Sequence, residues 1–269
     1  MSEQQLSNAG PPQGAKAPSG GSAARAAASV GALLSLKDVH THIGAYHILH
    51  GVNLQVARGQ LTMLLGRNGA GKTTTLRTIM GLWHASQGSV SFDGKNITAM
   101  ETPDIAGLNV AYVPENMGIF SDLTVKENML LAARKASRAN DMDEARLKWI
   151  FSLFPAVEKF WNHPAGKLSG GQKQMLAVAR AIVEPRALLI VDEPSKGLAP
   201  AIINNMIDAF AQLKATGTTI LLVEQNINFA KRLGDRVAVM DNGRVVHAGA
   251  MQELAEDEAL QKSLLGLAI

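Results

Sequence analysis

The residues best suited to chemistry in this sequence lie in a glycine-rich loop. The segment Gly66–Thr74 reads Gly-Arg-Asn-Gly-Ala-Gly-Lys-Thr-Thr and matches the pattern G-x-x-x-x-G-K-[ST]. Glycines let successive backbone N–H groups face inward, at the positive end of the following helix. We therefore predict that the loop binds a triphosphate, with Lys72 on the β- and γ-phosphates and the Thr73 hydroxyl on Mg²⁺. The candidate nucleotide-binding residues are Gly66, Arg67, Asn68, Gly69, Ala70, Gly71, Lys72, Thr73 and Thr74.

Two regular elements must hold this loop in place. The apolar run Leu61–Leu65 predicts a buried strand before it. After it, Thr73–Met80 has apolar positions three or four residues apart, which is typical of a helix. A surface glycine-rich turn, the alternative, does not need this strand–loop–helix context, so we favour the phosphate-binding loop.

Two carboxylates follow another apolar run. Ala187–Val191 is apolar throughout, as in the buried strands of parallel sheets, and Asp192 and Glu193 come directly after it. Ligands bind beyond the carboxyl ends of such strands. We predict that Asp192 holds the Mg²⁺ that Thr73 also contacts, and that Glu193 orients and deprotonates the attacking water. The alternative is that these carboxylates only cap the next helix.

A second glycine-rich helix start lies at Leu168–Gln172, which reads Leu-Ser-Gly-Gly-Gln. Two glycines after a serine, opening a long helix, form another anion-binding end. One chain does not need two such ends for one γ-phosphate, so we expect this one to face a nucleotide held by another copy. The candidate residues are Ser169, Gly170, Gly171 and Gln172.

The bulk composition excludes several classes of protein. Of the 269 residues, 46% are hydrophobic and 18% charged, as in an ordinary globular protein. The excess of 26 basic over 23 acidic residues is too small to indicate nucleic-acid binding, although it is compatible with an anionic membrane surface. The absence of cysteine excludes disulfides and thiolate metal sites. No apolar run has the length of a membrane span.

Composition also divides the chain into a tail and a folded region. Residues 1–32 are rich in Ala, Gly, Ser, Pro and Gln and predict a disordered tail, with an organellar transit peptide as the alternative. Residues 33–269 alternate strand and helix patterns. Strands are predicted at Leu33–Val39, Ala45–Leu49, Val52–Val56, Gly88–Phe92, Val110–Val113, Thr218–Val223, Val237–Met240 and Val245–His247, and helices at about 172–183, 201–215 and 251–265.

The pattern between Asp122 and about Trp161 is helical. Thr124 and Glu127 have capping-box spacing. A second helix is predicted to open at Asp141–Glu144 and to stop at Pro155. Its aromatic side chains indicate a small helical core, with nucleotide stacking or membrane contact as the alternative. They are Trp149, Phe151, Phe154, Phe160 and Trp161.

Four motifs, in this order, resemble the nucleotide-binding domain of an ABC transporter: Gly66–Thr73, Leu168–Gln172, Ala187–Pro194 and Ser195–Leu198. The resemblance covers residues from about 33 to 265. It implies an α/β P-loop NTPase fold with a RecA-like core, an antiparallel β-subdomain and a helical subdomain at about 122–170. It also implies an ATPase in which two domains enclose two ATP molecules, each between the Lys72 loop of one copy and Ser169–Gly171 of the other.

Further motifs are similar to the ATPase subunits of branched-chain amino-acid importers: Val113–Glu115, Leu153–Pro155, Gln174–Ala177, Gly197–Pro200 and Leu222–Asn226. This resemblance implies a motor subunit on the cytoplasmic face of a bacterial inner membrane. The implied partners are a second ATPase subunit, identical or different, two permeases and, indirectly, a periplasmic binding protein, with no nucleic acid. Phe120 and Leu123 are candidate contacts to the permeases, with core packing as the alternative.

Three positions depart from the general ABC pattern. The residue implied to contact Mg²⁺ and water is Glu115 rather than Gln, and the switch residue near the γ-phosphate is Gln225 rather than His. Gln225 can hydrogen-bond but cannot carry a proton, so its catalytic role is limited to hydrogen bonding. The adenine-stacking position holds Ile43, with Tyr46 three residues later, and neither is assigned to the base.

Other functions remain open. An ATPase for urea, amides or aromatic acids, or for export, would carry the same motifs, because the permease and the binding protein select the cargo. A non-transport ABC ATPase is a third class. The short stretch between Lys72 and Ser169 has no sustained heptads, and the chain has one cassette, unlike chromosome-type and translation-type members respectively.

Overall fold

Apolar strands build two sheets in the residues that the computed structural model describes, 31–133 and 142–266. The strands are β1 (Ala32–Ile43), β2 (Tyr46–Ala57), β3 (Leu61–Gly66), β4 (Gln87–Phe92), β5 (Lys95–Asn96), β6 (Val110–Val113), β7 (Leu188–Asp192), β8 (Thr219–Glu224), β9 (Arg236–Asp241) and β10 (Arg244–Ala250). The helices are α1 (Lys72–Ile79), α2 (Thr102–Gly107), α3 (Val125–Ala132), α4 (Glu144–Leu153), α5 (Pro155–Lys159), α6 (Gly170–Ala181), α7 (Pro200–Ala215), α8 (Ile227–Leu233), α9 (Met251–Glu256) and α10 (Glu258–Leu265).

The larger sheet explains the continuous apolar runs of the sequence. Its strand order is β10-β9-β3-β8-β7-β6, with parallel pairing throughout except for the antiparallel β9–β10 hairpin. Alternate residues of each strand enter different cores: Leu65 packs on one face and Leu64 on the other, both buried. A strand that is covered on both faces must be apolar at every position, so periodicity of two is lost.

Parallel pairing also decides where the polar side chains meet. The strands β3, β8, β7 and β6 are neighbours and run in one direction, so their carboxyl ends share one edge of the sheet. The residues that follow them are the glycine-rich loop, Gln225, Glu193 and Glu115. This edge is the expected place for a ligand in an α/β sheet.

The smaller sheet packs on the face of the larger sheet that carries Leu64. It is antiparallel, in the order β2-β1-β4-β5, and its buried residues Leu34, Val52 and Val90 share a core with Leu64 and Ile190 of the larger sheet. This packing brings β2 alongside the glycine-rich loop. It confirms the predicted antiparallel part.

The helical segment begins with the predicted capping box. The Thr124 hydroxyl accepts from the backbone N–H of Glu127 at 3.2 Å, and the Glu127 carboxylate accepts from the backbone N–H of Thr124 at 2.8 Å. Phe154 is fully buried, and Phe151 meets Trp161 edge-to-face at 5.2 Å between ring centroids. The aromatic residues of this segment therefore form the predicted small core.

Several element boundaries differ from the prediction. β2 runs without a break through both predicted strands, because Gly51 takes a left-handed φ of 82° and the register with β1 shifts instead of ending. The predicted last helix is two helices, since Asp257 ends α9 and its carboxylate caps α10. Pro155 ends one helix but also begins α5 as its first residue. α2 and α8 were not predicted.

Two other predictions concern residues outside the described ranges. The tail prediction falls on residues 1–30, and the only part of it that the structure describes, 31–32, includes the start of β1 at Ala32. Asp141 lies in the second undescribed range, and Asp143 caps α4 through its carboxylate. Among the described residues, the β9–β10 hairpin and α7 occur where they were predicted.

Candidate functional site

The glycine-rich loop joins β3 to α1 and lines a cavity. Gly66 has a φ of 150°, and a Cβ there would collide with the carbonyl oxygen of Met240. Gly71 precedes α1 in a left-handed conformation, with φ of 101°. No side chain among the described residues caps this helix start, so the first N–H groups of α1 are free to bind an anion.

Lys72 is buried at the first position of α1. Its Nζ donates to the carbonyl oxygens of Gly66 at 2.8 Å and Arg67 at 3.0 Å, and lies 3.6 Å from Oε1 of Glu193. Arg67 contributes only its carbonyl to this group, since its side-chain Nε donates to Leu265 at 3.4 Å. The ammonium is therefore held inside the loop, where phosphate oxygens would be expected.

A cavity of about 320 Å³ opens in front of the loop. This volume is within the range of ligand sites in proteins. The cavity lies at the carboxyl edge of the large sheet, as the strand order requires. Its lining residues are Ile48, Asn68, Gly69, Gly71, Lys72, Thr73, Thr74, Glu115, Glu193 and Lys196.

Glu193 occupies a strained backbone position beside the cavity. Its φ of 48° is left-handed and costs energy for a side chain of this size, which is typical of functional sites. Its backbone N–H donates to Val223 at 3.0 Å, and its Oε1 accepts from Nε2 of Gln225 at 2.6 Å. The opposite oxygen, Oε2, lies 3.6 Å from Nζ of Lys196. The carboxylate is therefore oriented from both sides.

Gln225 links the carboxylate to the glycine-rich loop. Besides Glu193, its Nε2 donates to Oδ1 of Asn68 at 2.7 Å. Both amide hydrogens thus have acceptors, which fixes the side-chain orientation. The predicted site residues Gln225, Glu193, Lys72 and Asn68 are brought together in one chain.

Asp192 is a fully buried carboxyl group next to this network. Neither of its oxygens has a hydrogen-bond partner among the described residues. The pKa of Asp192 is raised to about 6, chiefly by burial and also by the negative charges of Glu193 and Glu115, while the nearby hydroxyl of Thr73 and the charge of Lys72 act to lower it. A buried carboxylate without a partner, near a hydroxyl, is suited to a cation.

These residues fit Mg²⁺ bound together with a phosphate. Among residues 31–133 and 142–266, no three His, Asp or Glu side chains are arranged to hold a metal ion by themselves. Mg²⁺ in phosphate-handling sites keeps several waters and takes only one or two protein carboxylates. Thr73, Asp192 and Glu115 supply a hydroxyl and two carboxylates near the cavity, which matches that kind of ligand set.

Lys196 was not predicted as a site residue. Its Nζ forms an ion pair with Oε1 of Glu115 at 2.5 Å, in addition to its contact with Glu193. The lysine thus bridges carboxylates that follow two different strands. The one signal in the sequence is that Lys196 comes three residues after Glu193. The sequence alone could not show that the chain turns there and brings Lys196 to both carboxylates.

The second glycine-rich helix start lies apart from this cavity. Ser169 and Gln172 form a capping box, with the serine hydroxyl accepting at 3.3 Å and the glutamine Oε1 accepting at 2.9 Å. Gly171 packs on Ile202 so closely that a Cβ would lie 2.8 Å from its methyl group. Ser169 and Gly170 are exposed. The four residues Ser169, Gly170, Gly171 and Gln172 do not line the cavity of their own chain.

Ile43 and Tyr46, which the sequence left unassigned to the adenine base, both lie outside the lining of the cavity. Tyr46 is 75% exposed, and Ile43 ends β1; neither lines the cavity. Ile48 of β2 lines it instead. It is two residues from Tyr46, and sequence reasoning missed it.

No helix in residues 31–133 or 142–266 combines the length and apolar character needed to cross a membrane.

The family model described as ABC transporter matches residues 49–196 of this chain. These residues include the glycine-rich loop, Ser169–Gln172 and the carboxylates of Asp192 and Glu193 at the end of β7.

Individual relatives extend this similarity to nearly the whole described chain. The high-affinity branched-chain amino acid transport ATP-binding protein BraG of Pseudomonas aeruginosa is 37% identical over 234 residues, which are 87% of this chain and 100% of that protein. The probable branched-chain amino acid transport ATP-binding protein LivF of Archaeoglobus fulgidus is 35% identical over 222 residues, 82% and 93% of the two chains. A nucleotide-free ATP-binding cassette from an ABC transporter superposes with a TM-score of 0.73 at 25% identity, covering 88% and 100% of the chains.

Proposed function

The chain belongs to the ABC transporter family as one of its ATP-binding, ATP-hydrolysing subunits, and we propose that it drives an importer of branched-chain amino acids. The observation that carries the hydrolytic part is the Glu193 carboxylate, held 3.6 Å from Lys72 at the mouth of the cavity. The proposal about cargo is supported by relatives named for branched-chain amino acid transport, at 35% to 37% identity over most of their length.

In the proposed reaction, the protein positions ATP and a water molecule. The N–H groups of the loop and Lys72 bind the phosphates, and Glu193 orients the water and accepts its proton. Gln225 keeps Glu193 in place through its 2.6 Å hydrogen bond. Phosphoryl transfer depends mainly on such positioning and on charge stabilisation.

Mg²⁺ is part of this proposal. Thr73, Asp192 and Glu115 would hold it, and burial of the two unpartnered oxygens of Asp192 supports that assignment. When bound, Mg²⁺ neutralises charge on the β- and γ-phosphates. For Glu115 to take part, its ion pair with Lys196 must open, and the exposure of both side chains allows this.

We further propose that two ATPase subunits, identical or different, enclose the nucleotides. Ser169 and Gly170 are exposed, and the Ser169–Gln172 helix start does not line the cavity of its own chain, which leaves it free to cover the cavity of a second subunit. Its glycine N–H groups then contribute to phosphate binding in trans.

The proposed complex includes two permeases and a periplasmic binding protein, with the ATPases peripheral on the cytoplasmic face of the inner membrane. A second cavity of about 1040 Å³ supports a permease-binding face. Leu82, Trp83 and Arg180 are among its lining residues. Phe120 is 51% exposed beside it, against the guanidinium of Arg180, whereas Leu123 is half-buried. We therefore retain Phe120 as the stronger contact candidate.

The domain organisation belongs to the same proposal. We assign residues 33–269 to one ATPase domain, with a helical subdomain inserted at about 122–170 and a tail before it. Within the described residues, the buried helices α3 to α5 and the start of α6 support this insertion.

The experiment that tests the cargo uses the complete transporter. The ATPase would be assembled in proteoliposomes with the permeases, partner ATPase and binding protein encoded beside it. We expect ATP-driven uptake of radiolabelled leucine, isoleucine or valine, and none with the Glu193→Gln subunit. Uptake of urea, amides or aromatic acids instead would assign a related importer, and outward transport would assign an exporter. Copurification with nucleic acid rather than with membranes would contradict both.

A further inference from the structure

A buried carboxylate outside the cavity connects the two loops that orient Glu193. Glu224 is the last residue of β8 and is only 2% exposed. Its Oε1 accepts from the backbone N–H of Ser195 at 2.9 Å. Its Oε2 accepts from the backbone N–H groups of Gln225 at 3.1 Å and Asn226 at 3.3 Å. The two oxygens therefore bind two different segments of the chain.

Each of these segments supplies one contact to Glu193. Gln225 donates to its Oε1 at 2.6 Å. Lys196, the residue after Ser195, lies 3.6 Å from its Oε2. The backbone of Glu193 is itself strained, so external contacts must define where its carboxylate points. Glu224 is a second side chain that binds both segments, and it does so through their backbone N–H groups.

We propose that Glu224 is a positioning residue for hydrolysis, and that it acts by fixing the Ser195–Lys196 and Gln225–Asn226 segments so that Glu193 faces the attacking water. This inference rests on the proposed role of Glu193. Glu224 itself does not line the cavity.

The need for a carboxylate follows from hydrogen-bond counting. The N–H group of Ser195 binds one terminal atom of the side chain, and those of Gln225 and Asn226 bind the other, so both terminal atoms must be acceptors. An ionised carboxylate accepts at both oxygens. Burial raises the pKa of Glu224 above its usual value, and the hydrogen bonds from the Ser195 hydroxyl and the three N–H groups offset part of that rise. Glutamine has nearly the same volume but presents an NH₂ group on one side, which cannot accept. A Glu224→Gln change therefore releases one of the two segments without leaving a hole.

The test compares Glu224→Gln with the wild-type chain in the assembled transporter. We expect kcat for ATP to fall about 10-fold or more, because small misplacements of reacting groups carry costs of this order. The dissociation constant for ATP should change by less than about threefold, since the phosphate-binding residues are untouched. A merely structural defect would lower stability and kcat and raise the dissociation constant for ATP together.

Asp235→Asn is the matched control. Asp235 accepts from the backbone N–H of Leu61 at 2.8 Å and from Lys214 at 2.9 Å, near the start of β3 and away from the cavity. It should lower the melting temperature without a selective loss of kcat. Glu224→Asp keeps two acceptor oxygens on a side chain that is one methylene shorter, so it should hold the two segments only in part and give a kcat between those of Glu224→Gln and the wild type. If the glutamine variant does not fold, Glu224→Asp replaces it, and an unchanged kcat in Glu224→Asp then overturns the positioning role.

The outcomes separate this inference from the proposed function. If Glu193→Gln abolishes hydrolysis but Glu224→Gln keeps wild-type kcat, the positioning role is overturned and the proposed site stands. If Glu224→Gln loses kcat no more selectively than Asp235→Asn, the role is structural and the inference is again overturned. If Glu193→Gln hydrolyses ATP normally, the proposed base itself is wrong.

Discussion

A Glu193→Gln subunit should bind ATP but hydrolyse it about 10²- to 10⁴-fold more slowly than the wild type. The amide oxygen can still accept the 2.6 Å hydrogen bond from Gln225, so the network around it is kept. The variant loses the ability to take a proton from water and the negative charge that faces Lys72 and Lys196. Removing the negative charge near Lys72 also leaves that lysine free to bind phosphate, so ATP affinity should be unchanged or higher.

Steady-state phosphate release and equilibrium binding of a fluorescent ATP analogue would measure the two effects. Glu144→Gln is a suitable control, because Glu144 is an exposed residue of α4 that pairs only with Lys148 among the residues described. It should leave both quantities unchanged. Hydrolysis at the wild-type rate in Glu193→Gln would remove Glu193 from the role of base.

A Lys72→Met subunit should lose ATP binding itself. Lys72 is the buried cation of the loop, and its hydrogen bonds now go to carbonyl oxygens that phosphate oxygens would replace as acceptors. Charge-assisted hydrogen bonds are worth about 2 kcal/mol or more, so the dissociation constant for ATP should rise by at least about 30-fold. Methionine keeps the length of the side chain and isolates the loss of charge.

Isothermal titration with ATP, with and without Mg²⁺, would measure this effect. Lys148→Met removes an exposed lysine from α4 and should change nothing. An unchanged affinity in Lys72→Met would mean that the glycine-rich loop is not the phosphate site. In Lys72→Met, the carbonyl oxygens of Gly66 and Arg67 lose their donor and would hydrogen-bond to water instead. A melting curve would show that the variant is still folded.

The motifs that carry chemistry were predictable because each needs a local backbone shape. The strand β3, the glycine turns and the start of α1 are adjacent in sequence, so their relation is fixed by a few dihedral angles. Asp192 and Glu193 were predictable for the same reason, since they directly follow the apolar run that ends at Val191; Asp192 is the last residue of β7. The structure shows in addition that parallel pairing of the strands places the loop and these carboxylates at one edge of the sheet.

Contacts between distant segments were not predictable in this way. Lys196 reaches Glu115 because β6 and β7 are neighbours, and Glu224 reaches Ser195 because β8 lies beside β7. Neither adjacency follows from periodicity. The short helix α8 was missed although Asn226 caps it, because seven residues give too little pattern to separate a helix from a loop.

The predicted boundaries of strands and helices were wrong where one residue could play either of two roles. Gly51 resembled a break between strands, but long β2 passes through it in a left-handed conformation. Asp257 resembled an ordinary helix residue, but its carboxylate accepts from Leu260 at 2.8 Å and begins a new helix. In both cases the packing of neighbouring elements decides between the roles.

The central claim is that two subunits close on ATP between the Lys72 loop of one and Ser169 of the other. Its most direct test is the mass, by light scattering, of the Glu193→Gln chain with and without Mg·ATP, and of the same chain carrying Ser169→Arg. We expect a dimer only with Mg·ATP in the first, and a monomer that still binds ATP in the second. A dimer that persists with Ser169→Arg would contradict the account.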